Sequence, residues 1–169
     1  MIEVVIDSIR ISLVSQHRIV VLKEIDSERR LPIWIGPCEA DAITIELQDV
    51  KIARPVTHDL LKEMVTEMGG TISHVLIKAL SEGVFYASIF IDKNEELIEV
   101  DCRSSDAIAL AVRAICPIFI DPDVMFEAGI YPELGMEEDE EKAESGDEGN
   151  GGGDMGAFAD FMDSLDFDE

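Results

Sequence analysis

The chain has 169 residues, 47% of them hydrophobic, and a formal net charge of −24 from 13 basic and 37 acidic side chains. Such a length suits one ordinary domain plus an appendage, with enough apolar content for a sizeable core. With no run of about 18 apolar residues and no basic and then apolar leader, the sequence predicts neither a membrane span nor a secretion signal and reads as cytoplasmic.

In chain order, residues 2–14 and 18–25 are rich in β-formers and are joined by Ser15-Gln16-His17. A turn through Asp26-Ser27-Glu28-Arg29 leads to a strand over 31–35, which makes an antiparallel meander. Pro37, at a first helical position, starts a helix to about residue 49. Thr57 is placed to cap a second helix that Gly69-Gly70 ends. In it Leu60, Leu61, Met64, Val65 and Met68 recur at helical spacing, a stripe expected to be buried. Residues 71–80 and 84–92 pair across Ser81-Glu82-Gly83, and 96–102 follows as a third strand. A helix from Ser105 to about residue 115 and a short strand over 117–120 close the core. Hairpins outnumber possible parallel crossovers, so the expected class is α+β, a mostly antiparallel or mixed sheet with about three helices packed on it. Cys38, Cys102 and Cys116 are odd in number, lack metal-type spacing and read as buried thiols.

Charge divides the chain in two. Residues 1–132 hold 12 basic and 22 acidic side chains, whereas 133–169 hold 1 and 15. The first stretch is the expected folded domain. The second is too polar and glycine-rich to offset the entropy of ordering, and is expected to be a disordered acidic tail. Near its end Phe158, Phe161, Met162 and Leu165 fall at i, i+3, i+4 and i+7. The segment 158–167 therefore fits a short amphipathic helix able to fold on the basic groove of a protein partner.

Two strand-to-helix junctions carry the functional signal. Asp101-Cys102-Arg103-Ser104-Ser105-Asp106-Ala107-Ile108-Ala109-Leu110-Ala111-Val112-Arg113 delivers an arginine, a hydroxyl and an aspartate to the mouth of an apolar helix. Exposed amides and the positive dipole end favour anions there. Leu31-Pro32-Ile33-Trp34-Ile35-Gly36-Pro37-Cys38-Glu39-Ala40 repeats the order of strand, tight turn and helix start with an acid in the first turn. Glu39, Asp59, Asp101 and Asp106 are the acids beside helix mouths or strand ends, and His58 stands in a similar context. Carboxylates of this kind can hold Mg²⁺ or Mn²⁺, which neutralises a phosphate and lowers the pKa of an attacking water. An acid in a first helical turn is also favoured by the dipole alone, by about 0.3–1 kcal/mol, so helix starting is the competing explanation for Glu39 and Asp106. His58 and Asp59 are adjacent in a helix and point in different directions, so serving one site would need partners from another segment. Arg103 can clamp a phosphate by two parallel hydrogen bonds or lock Asp106 or Glu39 in an ion pair, and Arg54 can assist in either role.

These junctions, together with Arg54-Pro55-Val56-Thr57-His58-Asp59-Leu60-Leu61, resemble the bifunctional nuclease domain over roughly residues 1–130. That bacterial and plant family is named for DNase and RNase activity. The reading that follows is a metal-assisted phosphodiesterase acting on DNA and RNA with little sequence preference. Glu39, Asp59, Asp106 and His58 are its catalytic candidates, the three acids its metal candidates, and Arg103, Arg54 and Ser105 its substrate-binding candidates. The resemblance also implies self-association, a homodimer at minimum, to which the apolar Ile2, Val4, Ile6 and Trp34 lend support. The family pattern usually has proline where Ser104 stands, so a looser turn is expected. Charge pulls the other way: the core is acidic and has no basic run longer than Arg29-Arg30, while nucleic-acid binders gain affinity through Lys and Arg. Arg10, Arg18, Arg29 and Arg30 could form a basic patch on the meander face. The competing expectation is a non-catalytic module whose helix mouths hold a small anion and whose acidic tail recruits a partner. No P-loop, dinucleotide or serine-triad signature is present.

Overall fold

The computed structural model describes residues 1–11 and 18–132. The turn Ser15-Gln16-His17, the acidic tail and its 158–167 segment lie outside the described residues. Among those described, β1 (Ile2–Ile11), β2 (Arg18–Glu24) and β3 (Arg30–Ile35) precede α1 (Pro37–Leu47) and α2 (Thr57–Glu67). Then come β4 (Thr71–Ser81), β5 (Val84–Lys93), β6 (Glu96–Arg103), α3 (Ser104–Ala114), β7 (Ile118–Ile120) and α4 (Pro122–Ala128).

The strands form one seven-stranded sheet in the order β3-β2-β1-β7-β4-β5-β6. Two meanders built by local hairpins are thereby stitched by a three-residue strand. β7 runs antiparallel to β1, with Val4 opposite Ile118, and parallel to β4, with Val75 opposite Ile118. The remaining pairings are antiparallel, so the class is α+β with a mixed sheet. Glu82 and Gly83, at φ 52 and 75, make the tight turn between β4 and β5, a backbone twist that matches the flanking strands.

The core gathers one face of the sheet against α3, which buries nearly its whole surface through Ala107, Ile108, Ala109, Leu110 and Ala111. Small side chains let α1 and α2 pack beside it, and both contact α3. Among the described residues four helices stand where about three were expected. The additional one, α4, follows an Asp121-Pro122-Asp123 start in which the Asp121 side chain accepts from the Asp123 N–H at 2.9 Å, a cap legible in the sequence.

Several local expectations are corrected. The α2 stripe is not buried: Leu60, Leu61, Met64 and Met68 are exposed, Val65 is half-buried, and His58 is the buried residue of the helix. Helical spacing identifies an apolar face but not what covers it. Thr57 is the first helical residue rather than the cap; Val56 is the cap, and its N–H donates to Asp59 Oδ2 at 2.9 Å. Helix α3 starts at Ser104, one residue early, with Arg103 as its cap residue. Cys38 is exposed, and Cys102 and Cys116 are half-buried, free thiols that burial pushes up, Cys102 to about 11. Arg29 and Arg30 of the meander are paired with Glu24 and Asp7, which weakens the case for an open basic patch.

Candidate functional site

Three helices begin in the same way. The cap residues Gly36, Val56 and Arg103 are all extended, and none supplies a side-chain cap. Each helix carries an acid at its third position: Glu39 in α1, Asp59 in α2 and Asp106 in α3. The dipole accounts for an acid at each start taken singly. Tertiary packing then gives the three acids different partners.

Arg103, at the end of β6, is the hub. Its Nε donates to Asp106 Oδ2 at 2.7 Å and its NH2 to Asp106 Oδ1 at 3.0 Å, so one edge of the guanidinium is held in a two-point fork. Its NH1 donates to Glu39 Oε1 at 2.9 Å, across from α1. Behind Asp106, His58 Nε2 lies 3.3 Å from Oδ1. Glu39, His58, Arg103 and Asp106 thus bring the starts of α1, α2 and α3 to one place. Arg103 is 66% exposed in its side chain while His58 is 8% exposed, so the arginine forms the lip and the histidine the floor.

The electrostatics follow from this layering. Partial burial raises the Asp106 carboxyl, but the hydrogen bonds from Arg103 and His58 outweigh it and hold the group below the ordinary carboxylate range. Hydrogen bonds to Asp106 and then Glu39 push Arg103 further up, leaving it a permanent cation. The Ser104 departure does not loosen the turn. Arg103 sits at φ −70 and ψ 149, the extended backbone that a following proline would itself impose.

Asp59 does not join this cluster. Its carboxylate accepts from Arg113 Nε at 2.5 Å and from the Val56 N–H. Burial raises it, yet those two bonds together lower it on balance. Arg113, which sequence reasoning missed, is 3% exposed and also donates from NH1 to the Ala109 carbonyl and from NH2 to the Ala42 carbonyl, both at 2.9 Å. One guanidinium therefore ties the first turn of α2 to the middle of α1 and of α3. An arginine at the polar end of an otherwise apolar helix was the available signal. Ser105 is buried in the first turn of α3 and is not part of the ion-pair network; Arg54 is exposed between α1 and α2. Asp101 is exposed and pairs with Lys78 at 3.0 Å.

The donor set does not fit a dedicated divalent-cation site as arranged. Among the described residues no three His, Cys, Asp or Glu side chains gather as such an ion requires, and Glu39, Asp59 and Asp106 are each engaged by an arginine. What the cluster offers is an exposed guanidinium, fixed in orientation, at the meeting point of three positive helix ends, which suits a phosphate oxygen.

A family model described as the bifunctional nuclease domain matches residues 20–133. The chain belongs to that family. An uncharacterised protein of Mycobacterium tuberculosis is 39% identical over 139 residues, covering 82% of each chain. Bifunctional nuclease 2 of Oryza sativa subsp. japonica is 33% identical over 118 residues, which is 68% of this chain and 36% of the rice protein. Bifunctional nuclease 1 of Arabidopsis thaliana is 30% identical over 118 residues, with the same shares. The chain spans little more than a third of the plant relatives' length. No helix among the described residues is long and apolar enough to cross a membrane.

Proposed function

We propose that this chain hydrolyses phosphodiester bonds of DNA and RNA at the shared mouth of α1, α2 and α3. The observation that carries the reading is the convergence of Glu39, His58, Arg103 and Asp106 from three helix starts in a bifunctional nuclease domain. Arg103 binds the non-bridging phosphate oxygens and offsets the charge that grows on them. Asp106 fixes the guanidinium by its two-point fork, and buried His58 fixes Asp106. Asp106, held below the ordinary carboxylate range, is a poor proton acceptor. Glu39, at the lip, takes the proton from an attacking water once phosphate has replaced it on Arg103; the water oxygen bonds to phosphorus, one P–O ester bond breaks, and the departing oxygen takes a proton from solvent. Asp59 acts at one remove, holding the first turn of α2 through Arg113. A Mg²⁺ or Mn²⁺ ion would have to share Glu39 or Asp106 with Arg103 in order to be held at this mouth.

Self-association, a dimer at minimum, is part of the same reading. The uncovered Leu60, Leu61, Met64 and Met68 of α2 support it, because a contiguous apolar band of this kind is rarely left to water.

The test compares variants, since contaminating nucleases defeat any assay of one protein alone. Arg103→Ala should lower cleavage of both DNA and RNA about a hundredfold, the loss typical of removing one charge-stabilising donor. Asp106→Asn should do the same with the far-ultraviolet spectrum unchanged. Wild-type rates in both variants would remove the assignment. Retained phosphate binding without cleavage in the wild type would favour the non-catalytic anion-binding module instead.

A further inference from the structure

We propose that Glu39 is a built-in competitor for the phosphate position, a carboxylate that occupies Arg103 until a phosphate group displaces it. The proposal rests on the phosphate-binding reading of Arg103 given above. It adds which ligands the site admits.

A guanidinium presents two edges that can grip a pair of oxygens. Asp106 takes the Nε and NH2 edge with both of its oxygens, at 2.7 and 3.0 Å. The other edge is NH1 with the second N–H of NH2. Glu39 meets it through a single bond, NH1 to Oε1 at 2.9 Å. The first edge is therefore saturated and braced by His58, whereas the second is held at one point by a side chain from another helix. A phosphate has the two oxygens needed to use that second edge fully, and Glu39 stands in its place.

The second observation is the residue that lets Glu39 reach there. A Cβ built on Gly36 would stand 2.1 Å from Glu39 Oε2, far inside contact distance. Gly36 has φ −70 and ψ 158, a backbone that any residue adopts. Glycine is thus required here for the room it gives the Glu39 carboxylate, not for its conformational freedom. An alanine at this position would meet only the far end of a flexible side chain and would push it off its perch.

The consequence is selectivity. A free carboxylate monoanion that displaces Glu39 exchanges one carboxylate for another and forfeits the high local concentration of a tethered group. Free phosphate, near a dianion at neutral pH, brings more charge than a carboxylate and so can win that exchange, while a backbone phosphodiester, itself a monoanion, wins it through the summed charge of the polymer. Glu39 would thereby keep the abundant small carboxylates of a cell out of the mouth while admitting the phosphate of a nucleic acid backbone or of a free phosphate.

The experiment titrates inorganic phosphate, a short oligothymidylate and acetate into the full-length protein by calorimetry. Glu39→Gln should tighten inorganic phosphate about fivefold, the size expected from removing one solvent-accessible ionic competitor. Gly36→Ala should tighten it in the same direction although it changes no charge, which separates displacement of the carboxylate from a general gain in potential. The double variant should bind no tighter than Glu39→Gln, because both changes relieve one contact. Acetate binding should become measurable only once Glu39 is changed or displaced. Tightening of the oligothymidylate in parallel would identify backbone phosphate as an admitted ligand; tightening of inorganic phosphate alone would confine the site to free phosphate. Melting curves establish that both single variants fold. The proposal is overturned if Glu39→Gln binds phosphate equally or more weakly, if it loses a Mn²⁺-dependent signal shown by the wild type, or if a folded Gly36→Ala matches the wild type. Loss of phosphate binding in Arg103→Lys alongside an inert Glu39→Gln would leave the site standing and sink only the competitor. Phosphate binding that ignores Arg103 altogether would sink both.

Discussion

Replacing Arg113 with methionine probes whether the buried guanidinium holds the three helices in register. Methionine keeps the unbranched aliphatic volume and removes all three donor contacts, to Asp59, Ala109 and Ala42. Breaking a buried pair from one side typically costs about 3–5 kcal/mol, because the other charge is left without its partner. Asp59 retains the Val56 N–H and has a side chain 29% exposed, so water replaces part of what it loses. That places the expected loss at the lower end, about 3 kcal/mol, or roughly 10 °C in Tm for a folded unit of this size. Asp59→Asn keeps an oxygen for Val56 but leaves the buried Arg113 cation facing an amide, so it should also lose about 3 kcal/mol. The double variant should fall short of the sum of the two, since removing the carboxylate's charge also removes the penalty of leaving it unpaired. Urea unfolding followed by circular dichroism at neutral pH measures all three. Because Asp59 anchors the α2 turn that carries His58, cleavage should fall in Arg113→Met even at temperatures where it is fully folded. An Arg113→Met protein within about 0.5 kcal/mol of the wild type would refute the reasoning, since it would mean the staple adds nothing to a mouth that packing already holds.

Further expectations concern pH, backbone strain, assembly and metal. Asp59 and Asp106 both have carboxyls lowered in the folded protein, so their contribution is complete above the unfolded value of about 3.9 and is lost as pH falls through the lower folded values. Acid unfolding should accordingly be less steep in Asp106→Asn, and an unaltered acid limb would remove Asp106 from the account. Ile115 ends α3 at φ 55 and ψ 44 while 92% exposed, so Ile115→Gly should stabilise by about 1 kcal/mol in thermal melts; a lower Tm would contradict this. Light scattering should give at least a dimer, and Leu61→Glu with Met64→Glu should shift it to the monomer mass; a wild type that is monomeric across ordinary salt refutes the assembly. If Mg²⁺ or Mn²⁺ takes part, EDTA abolishes cleavage and weakening the grip of Arg103 by Arg103→Lys should tighten Mn²⁺ by freeing its carboxylates; unchanged Mn²⁺ affinity would place any ion elsewhere.

Local chemistry made most of the elements legible. The first helix start was legible at Pro37 and the other two to within one residue, the second through Thr57 read as its cap and the third through Ser105 read as its start, each with an acid close by, because dipole and cap preferences act within a single turn. Both meanders were legible for the same reason, since hairpins pair neighbours in the chain. The α2 stripe misled because a period of 3.6 reports which residues share a face and carries no information about whether another element comes to cover it. The fourth helix was missed although Asp121-Pro122-Asp123 announced it.

The sequence alone determined that this would be an α+β domain with anion-favouring helix mouths, and it singled out Glu39, His58, Arg103 and Asp106 one by one. Only the tertiary structure decided that those four meet, that Asp59 belongs instead to Arg113, and that three residues of β7 join two meanders into one sheet. The division has a physical cause. Helix starts and tight turns are settled by atoms a few residues apart, whereas Arg103 reaches Glu39 across 64 positions and Arg113 reaches Ala42 across 71. Contacts of that span depend on how the whole core packs, and no local pattern along the chain encodes which of two arginines an aspartate will find.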